Sequence, residues 1–409
     1  VFFGGPGLYA SDWDSKVSAA FVAYDADNDR ILGASSLSDV DGCKVVNVRR
    51  WRVVNNVLYV TVGITHPTTG KKIGALLRWY GDKNDPWKFH IVGLVDNEAA
   101  ELACFNNRIY IGTWATVSAV HVSPEIPEGG FTPVSIDSEM WPKVWTSDVA
   151  EPTKTLGRSI TSVAGFHEWR NHLYWGVFCP NYYVLSTAQA TYGSLTSPDA
   201  LAFILGNYRT PSFWRIDKDN NYELLYGDTT NPKPVYDKEG KIENWELEPS
   251  GLEAKWGRGG FGNLWTIYIW AIQEYDGNMY VGTMDLSNLA DAAGSNLVGD
   301  ASFATLSKLL TGLDASDEGF ELLRMTDEEE APKYITENGF NNAQQYGVRN
   351  LEVLDGRLML GSASMSSLKP NGGWHVLSIT DDKNSASVSQ SMIKKPGIIM
   401  ERNAGYINL

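Results

Sequence analysis

The chain has 409 residues, of which 43% are hydrophobic and 20% charged, enough apolar material for a large core and too much for a disordered segment. A net charge of −15 opposes binding to phosphate backbones or anionic lipid and counts against nucleic acid as a partner. No apolar run approaches the roughly 20 residues a membrane-spanning helix needs, and an aromatic content of 12% with 15 Trp suits strands rather than helices.

Taken in order, the chain opens on VFFGG without an initiator Met or a basic leader, which predicts a processed or truncated product and counts toward export. Phe21 to Asp29, FVAYDADND, reads as a strand ending in an acidic turn. Val45 to Gly63 and Ala99 to Thr113 read as hairpins about Asn55-Asn56 and Asn106-Asn107, because Asn tolerates the left-handed backbone such turns require. Leu76 to Asp82 and Ser118 to Ser123 are further strands, and Pro124 to Arg158 is predicted to link one module to the next. Ile160 to Gly176 repeats the hairpin about Arg170-Asn171. An insertion, Phe178 to Pro211, separates it from Phe213 to Asn221, FWRIDKDNN, and from the strand Tyr222 to Gly227; Asp228 to Gly259 is read as a second linker.

The clearest unit is Gly260 to Thr283, GFGNLWTIYIWAIQEYDGNMYVGT, which returns as Gly339 to Ser362, GFNNAQQYGVRNLEVLDGRLMLGS, at a constant offset of 339 − 260 = 79. Each copy alternates about an Asp-Gly pair, Asp276-Gly277 and Asp355-Gly356, the strongest short-range signal for a β-hairpin. A second insertion, Met284 to Glu318, holds Phe303, Leu306 and Leu310 at helical spacing. Gly319 to Asp327 and Gly373 to Asp381 form another matched pair, offset by 373 − 319 = 54. Hairpin plus hairpin gives four strands per module and about six modules, beginning near residues 1, 43, 97, 160, 260 and 345, with five to seven allowed.

Repeated four-stranded modules predict an all-β chain folded as a single β-propeller over residues 1–409. The first module lacks its opening strand, and the C-terminal segment 397–409 is expected to supply it beside residues 1–5, closing the ring. On DGNMYVGT, DGRLMLGS, NNRIYIGT and FWRID, the chain resembles the propeller repeats of exported bacterial proteins, whose blades carry an N-G-x-L-Y-V-G-T hairpin. That resemblance implies a fold and no single activity, since such propellers serve as enzymes, subunits and binding platforms.

If the innermost strand comes first and directions alternate, the two insertions and the two linkers emerge together on one face, where long loops are often functional. Aligned inner strands then place Arg49, Ala100, Ala164, Trp270 and Arg349 in one column and Arg50 and Glu101 in the next. The candidate ligand-binding residues are Arg349, Arg49, Trp265, Tyr268, Trp270, Tyr346 and Glu101. The arginines either hold an anionic ligand or pair with acidic neighbours such as Glu101 and Glu352; the aromatics either stack on sugar or form core.

Motifs for chemistry fail. His167 to His172, HEWRNH, is one residue too long for a zinc helix and straddles a turn, so no metal site is predicted. Asp25 to Asp29 and Asp217 to Asn221 lack the Gly and the final Glu of a calcium loop and are read as acidic turns, with a weak surface calcium site as the alternative. No cofactor is predicted. Cys43, Cys104 and Cys179 leave open one bridge and one free thiol. The leading expectation is a secreted, cell-surface or periplasmic binding module taking a small molecule, a glycan or a partner protein. The alternatives are an enzyme acting on a carbohydrate or other polyhydroxylated substrate, and a non-catalytic subunit of an extracytoplasmic complex.

Overall fold

A computed structural model describes residues 2–5, 20–35, 37–150, 162–179, 209–287, 318–364, 372–382 and 385–389. The chain is all-β, of the β-propeller type, and among these residues six antiparallel modules follow one another in sequence order. The chain falls into two compact units that meet between Trp145 and Thr146. The two long insertions and the segment 397–409 expected to close the ring lie, wholly or for the most part, outside the described residues.

In the first unit, β1 (Phe2–Gly5), β2 (Ala20–Asp25) and β3 (Arg30–Ser35) form a three-stranded sheet. The short β4 (Asp39–Val40) leads into β5 (Cys43–Val54), β6 (Val57–Thr65), β7 (Lys72–Trp79) and β8 (Phe89–Val95). The third module is β9 (Glu98–Phe105), β10 (Arg108–Trp114), β11 (Ala119–Glu125) and β12 (Lys143–Thr146). The turns are as the sequence predicts: Asn55 and Asn56 sit at φ 49 and 62, and Asn106 and Asn107 at φ 48 and 54. The second strands of the second and third modules, β6 and β10, are buried along almost their whole length, because β6 has core on both of its faces.

One linker is misread from sequence. Pro124 to Arg158 contains β12, the fourth strand of its own module, so its long stretch 126–142 connects third strand to fourth and leaves from the end opposite to the one expected. That stretch runs back over the preceding module, with Val134 N–H donating to Ile91 O (2.9 Å) and Trp141 N–H to Leu94 O (2.9 Å), and thereby covers the open edge of β8.

The second unit holds three modules: β13 (Ser162–Trp169), β14 (His172–Phe178), β15 (Phe213–Ile216) and β16 (Tyr222–Tyr226); then, after a separate two-stranded ribbon of β17 (Thr230–Tyr236) and β18 (Ile242–Pro249), β19 (Thr266–Tyr275), β20 (Asn278–Asp285), β21 (Leu322–Met325) and β22 (Lys333–Thr336); and last β23 (Gln345–Leu354), β24 (Arg357–Ser364), β25 (Val376–Asp382) and β26 (Ser385–Ser389). The ribbon falls in what reads as a linker. The repeated Gly-Phe openings share one backbone shape: Gly260 and Phe261 at φ 62 and 57, Gly339 and Phe340 at φ 58 and 57.

Successive modules are joined at a repeated close approach. A Cβ at Gly176 would stand 2.2 Å from Ile269 Cβ, and one at Gly282 would stand 2.4 Å from Val348 Cβ. Ile269 and Val348 are themselves repeat equivalents, 348 − 269 = 79. In β14 and β20 the glycine near the end of the strand is thus the socket for a β-branched residue on the next module's first strand. Single backbone pairs at the same junctions, Phe178 with Tyr268 and Met284 with Gly347, continue the sheet from one module to the next.

Candidate ligand site on the second unit

The first strands β19 and β23 carry matching irregularities. Register shifts fall between Thr266 and Tyr268 and between Ile269 and Ala271 in β19, and at the equivalent Gln345/Gly347 and Val348/Asn350 in β23. Such bulges re-aim side chains. Here they produce a ladder across three modules: Phe178 and Tyr268 have ring centroids 4.6 Å apart, Tyr268 stacks on Trp270 at 5.1 Å and 18°, and the Arg349 guanidinium lies 4.6 Å from the Trp270 centroid. Gly347 makes room for the indole, since a Cβ there would meet Trp270 Cζ3 at 2.7 Å.

Exposure rises along the ladder, with Tyr268 buried, Trp270 and the adjacent Tyr346 half-buried and Arg349 exposed. A guanidinium stacked on an aromatic face keeps its N–H groups in plane for an acceptor. The Trp270 indole N–H is buried and has no hydrogen-bond partner among the described residues. Burial pushes the Tyr346 phenol up, and the Arg349 charge works against that shift. Trp265, by contrast, is framework: it is buried, and its carbonyl accepts from Leu286 N–H at 2.9 Å.

Arg49 and Glu101 belong to the first unit and are engaged there with different partners. Arg49 Nε donates to Glu98 Oε1 at 2.6 Å while the guanidinium lies 4.0 Å from the Trp114 centroid. Glu101 Oε2 accepts from Arg50 Nε and Nη2 at 3.0 and 2.7 Å. These pairs fasten β5 to β9, and Glu98, which sequence reading did not single out, is the carboxylate that Arg49 takes.

Sequence reading also missed a buried polar centre beside the ladder. Asp285, the last residue of β20, and Glu321, just before β21, are 0% and 1% exposed. The Asn263 side-chain amide donates to both, to Asp285 Oδ2 at 2.9 Å and to Glu321 Oε1. Thr266 Oγ1 donates to Glu321 Oε1 at 2.8 Å, Glu321 Oε2 meets the Thr283 hydroxyl, and Asp285 Oδ1 takes the Ser287 N–H at 2.7 Å and its hydroxyl. Burial and the neighbouring Asp285 charge push the Glu321 carboxyl up to about 8. Burial likewise pushes Asp285 up to about 6 against the Ser287 and Asn263 bonds, with Glu318 adding to the rise. The one available signal was the Asn of the repeated opening: Asn263 accepts from Trp265 N–H (2.7 Å) as Asn342 does from Gln344 N–H (3.1 Å).

The remaining motifs resolve into framework. His167 Nε2 accepts from Glu274 N–H at 3.1 Å and His172 Nδ1 pairs with Glu328 at 2.6 Å, each tying one module to the next. In the acidic turns, Asp217 Oδ1 accepts from the N–H groups of Asp219 and Asn221 (2.8 and 2.9 Å), and Asp25 pairs with Lys83 at 3.1 Å. No disulfide joins any two of Cys43, Cys104 and Cys179, which removes the bridge left open by the sequence. Among the described residues no group of three or more ligating side chains could hold a metal, and no helix is long and apolar enough to cross a membrane.

No protein-family model matches this chain, and neither does any curated protein. Similar solved structures include a GH43_1 enzyme from Xanthomonas citri (9% identity, TM-score 0.33, 86% of this chain and 92% of that one) and the catalytic domain of a Coprinopsis cinerea GH62 α-L-arabinofuranosidase (8%, 0.35, 80% and 89%). The N-terminal domain of Nup159 is similar at the same level (9%, 0.34, 91% and 73%). Likeness this distant carries no argument about activity.

Proposed function

We propose that the protein recognises a carbohydrate or similarly polyhydroxylated ligand at the exposed end of the Phe178–Tyr268–Trp270–Arg349 ladder. The observation that carries this reading is the Trp270–Arg349 pair: a half-buried aromatic platform joined to an exposed guanidinium. Ring faces accept the C–H faces of a sugar, and N–H donors in an apolar setting fix its hydroxyls and ring oxygens. An extracytoplasmic setting belongs to the same proposal, since polymeric glycan is met there.

Hydrolysis of glycosidic bonds is the second reading, and one observation favours it: Glu321, beside the ladder, keeps its proton to about pH 8, the state a general acid needs. Against it, every oxygen of Asp285 and Glu321 is already engaged by protein groups. The test is a panel of soluble polysaccharides, including arabinan and xylan, assayed for retention of the protein and for release of reducing ends. Retention without release supports recognition, release supports hydrolysis, and neither, with other chains copurifying instead, overturns both in favour of a subunit role.

A further inference from the structure

The polar centre between β20 and β21 has an unusual charge balance. Two carboxyl groups share a single amide nitrogen, so their oxygens lie no more than two hydrogen-bond lengths apart through Asn263. Their protein partners are Asn263, Thr266, Thr283 and Ser287, all uncharged. No Lys, Arg or His pairs with either carboxyl among the described residues. The other titratable groups facing the pair are Glu318, which acts on Asp285, and Tyr334 on β22, whose phenol feels Glu321. Glu318 adds negative charge, while burial and Glu321 push the Tyr334 phenol up and keep it neutral, so neither supplies a cation. Two carboxylates ionised together, buried and without a cation, cost far more than retaining one proton.

The adjoining module makes the comparison from within the chain. There the equivalent of Thr283 is Ser362, each hydroxyl accepting the N–H of the residue that opens the next strand, Glu321 at 2.9 Å and His375 at 2.7 Å. Where Thr283 meets the Glu321 carboxyl, Ser362 meets the side-chain amide of Gln345, which also donates to Gly373 O at 2.9 Å. An uncharged amide therefore does in one module what Glu321 does in the other, and a neutral carboxylic acid is the closest chemical equivalent of that amide.

We propose that Glu321 is held as a neutral acid beside an ionised Asp285, and that this retained proton is a pH-sensitive latch fastening the end of β20 to the start of β21. Folding of the second unit then takes up a proton. The stabilisation is complete below the carboxyl's unfolded value of about 4.3 and is lost as pH rises through its folded value near 8. This holds whichever reading of the ligand site is correct.

The test is made on the full chain with wild type, Glu321→Gln and Asp285→Asn. The carboxylic-acid C=O stretching band in infrared difference spectra of wild type minus E321Q should be present at about pH 7 and absent at about pH 9.5. The unfolding temperature of wild type should fall by about 8–15 °C more than that of E321Q between about pH 5 and about pH 8.5. In D285N, the band should vanish at a lower pH than in wild type, because the neighbouring charge is gone; that arm decides the matter should E321Q fail to fold. No acid band at about pH 7, or a loss of the band at the same pH in D285N and wild type, overturns the proposal.

Discussion

Gly282→Ala is the most direct probe of how one module seats the next. The added Cβ would stand 2.4 Å from Val348 Cβ and 2.5 and 2.8 Å from its two methyls. Carbon atoms in contact prefer about 3.5–4.0 Å, so β23 must retreat by roughly 1 Å or Val348 must leave its rotamer. Overpacking of this kind costs about 1–3 kcal/mol, and three simultaneous clashes put G282A at the upper end. For a unit of this size about 3 kcal/mol lowers the unfolding temperature by roughly 6–12 °C. Gly277→Ala is the control: it has nothing within 4 Å and costs only its left-handed backbone at φ 74, about 1 kcal/mol. Thermal and urea unfolding of G282A, G277A and G282A/V348A measure the difference. The double variant should recover part of the loss, because the clash is with Val348 itself. Equal costs for G282A and G277A, with no recovery in the double variant, would refute the socket.

In the first unit, burial pushes the Asp96 carboxyl up, but the bonds from His121 (2.9 Å) and Lys143 (2.5 Å) outweigh it and hold the group well below the usual carboxylate range. Its contribution is full above a pH of about 4 and declines on acidification, so Asp96→Asn should cost about 2 kcal/mol near neutrality and less at about pH 2, read from urea unfolding at both. Excision of residues 231–248 of the β17–β18 ribbon, joined by a short turn, should lower stability by less than about 1 kcal/mol by the same method, since no ribbon side chain of known exposure is fully buried.

The hairpins were legible because turn chemistry is local: Asp276 and Asp355 both sit at positive φ, 48 and 49, with Gly at 74 and 71 behind them. Module starts followed from the same signal, and β5, β9, β13 and β23 begin within three residues of the positions read from the repeat. The fourth strand β12 was hidden because Lys143–Thr146 is too short to show alternation and stands far from β11 in sequence. The ribbon was hidden by its prolines, Pro232 and Pro234, which argue against a strand yet are tolerated on its open edge. Of the proposed site, strand alignment put Trp270 and Arg349 in one column, and the two are in contact, whereas Phe178 was not singled out. Asp285 and Glu321 were not singled out either, since they stand on either side of a long insertion and no motif spacing links them. The partners of Arg49 and Arg50 were equally out of reach, because the choice between Glu98 and Glu101 rests on sheet register rather than on residue type.

Equilibrium binding of the best-retained polysaccharide to wild type, Arg349→Ala and Trp270→Ala tests the account's central claim. Loss of a charged hydrogen bond of about 1.5–3 kcal/mol predicts that R349A weakens binding by on the order of ten- to a hundredfold. Its unfolding temperature should stay within a few degrees of wild type, because Arg349 is exposed. W270A should weaken binding at least as much, by removing the platform and the face on which Arg349 lies. Unchanged affinity in both variants, with stability lost instead, would assign the ladder to the scaffold and contradict the proposed site.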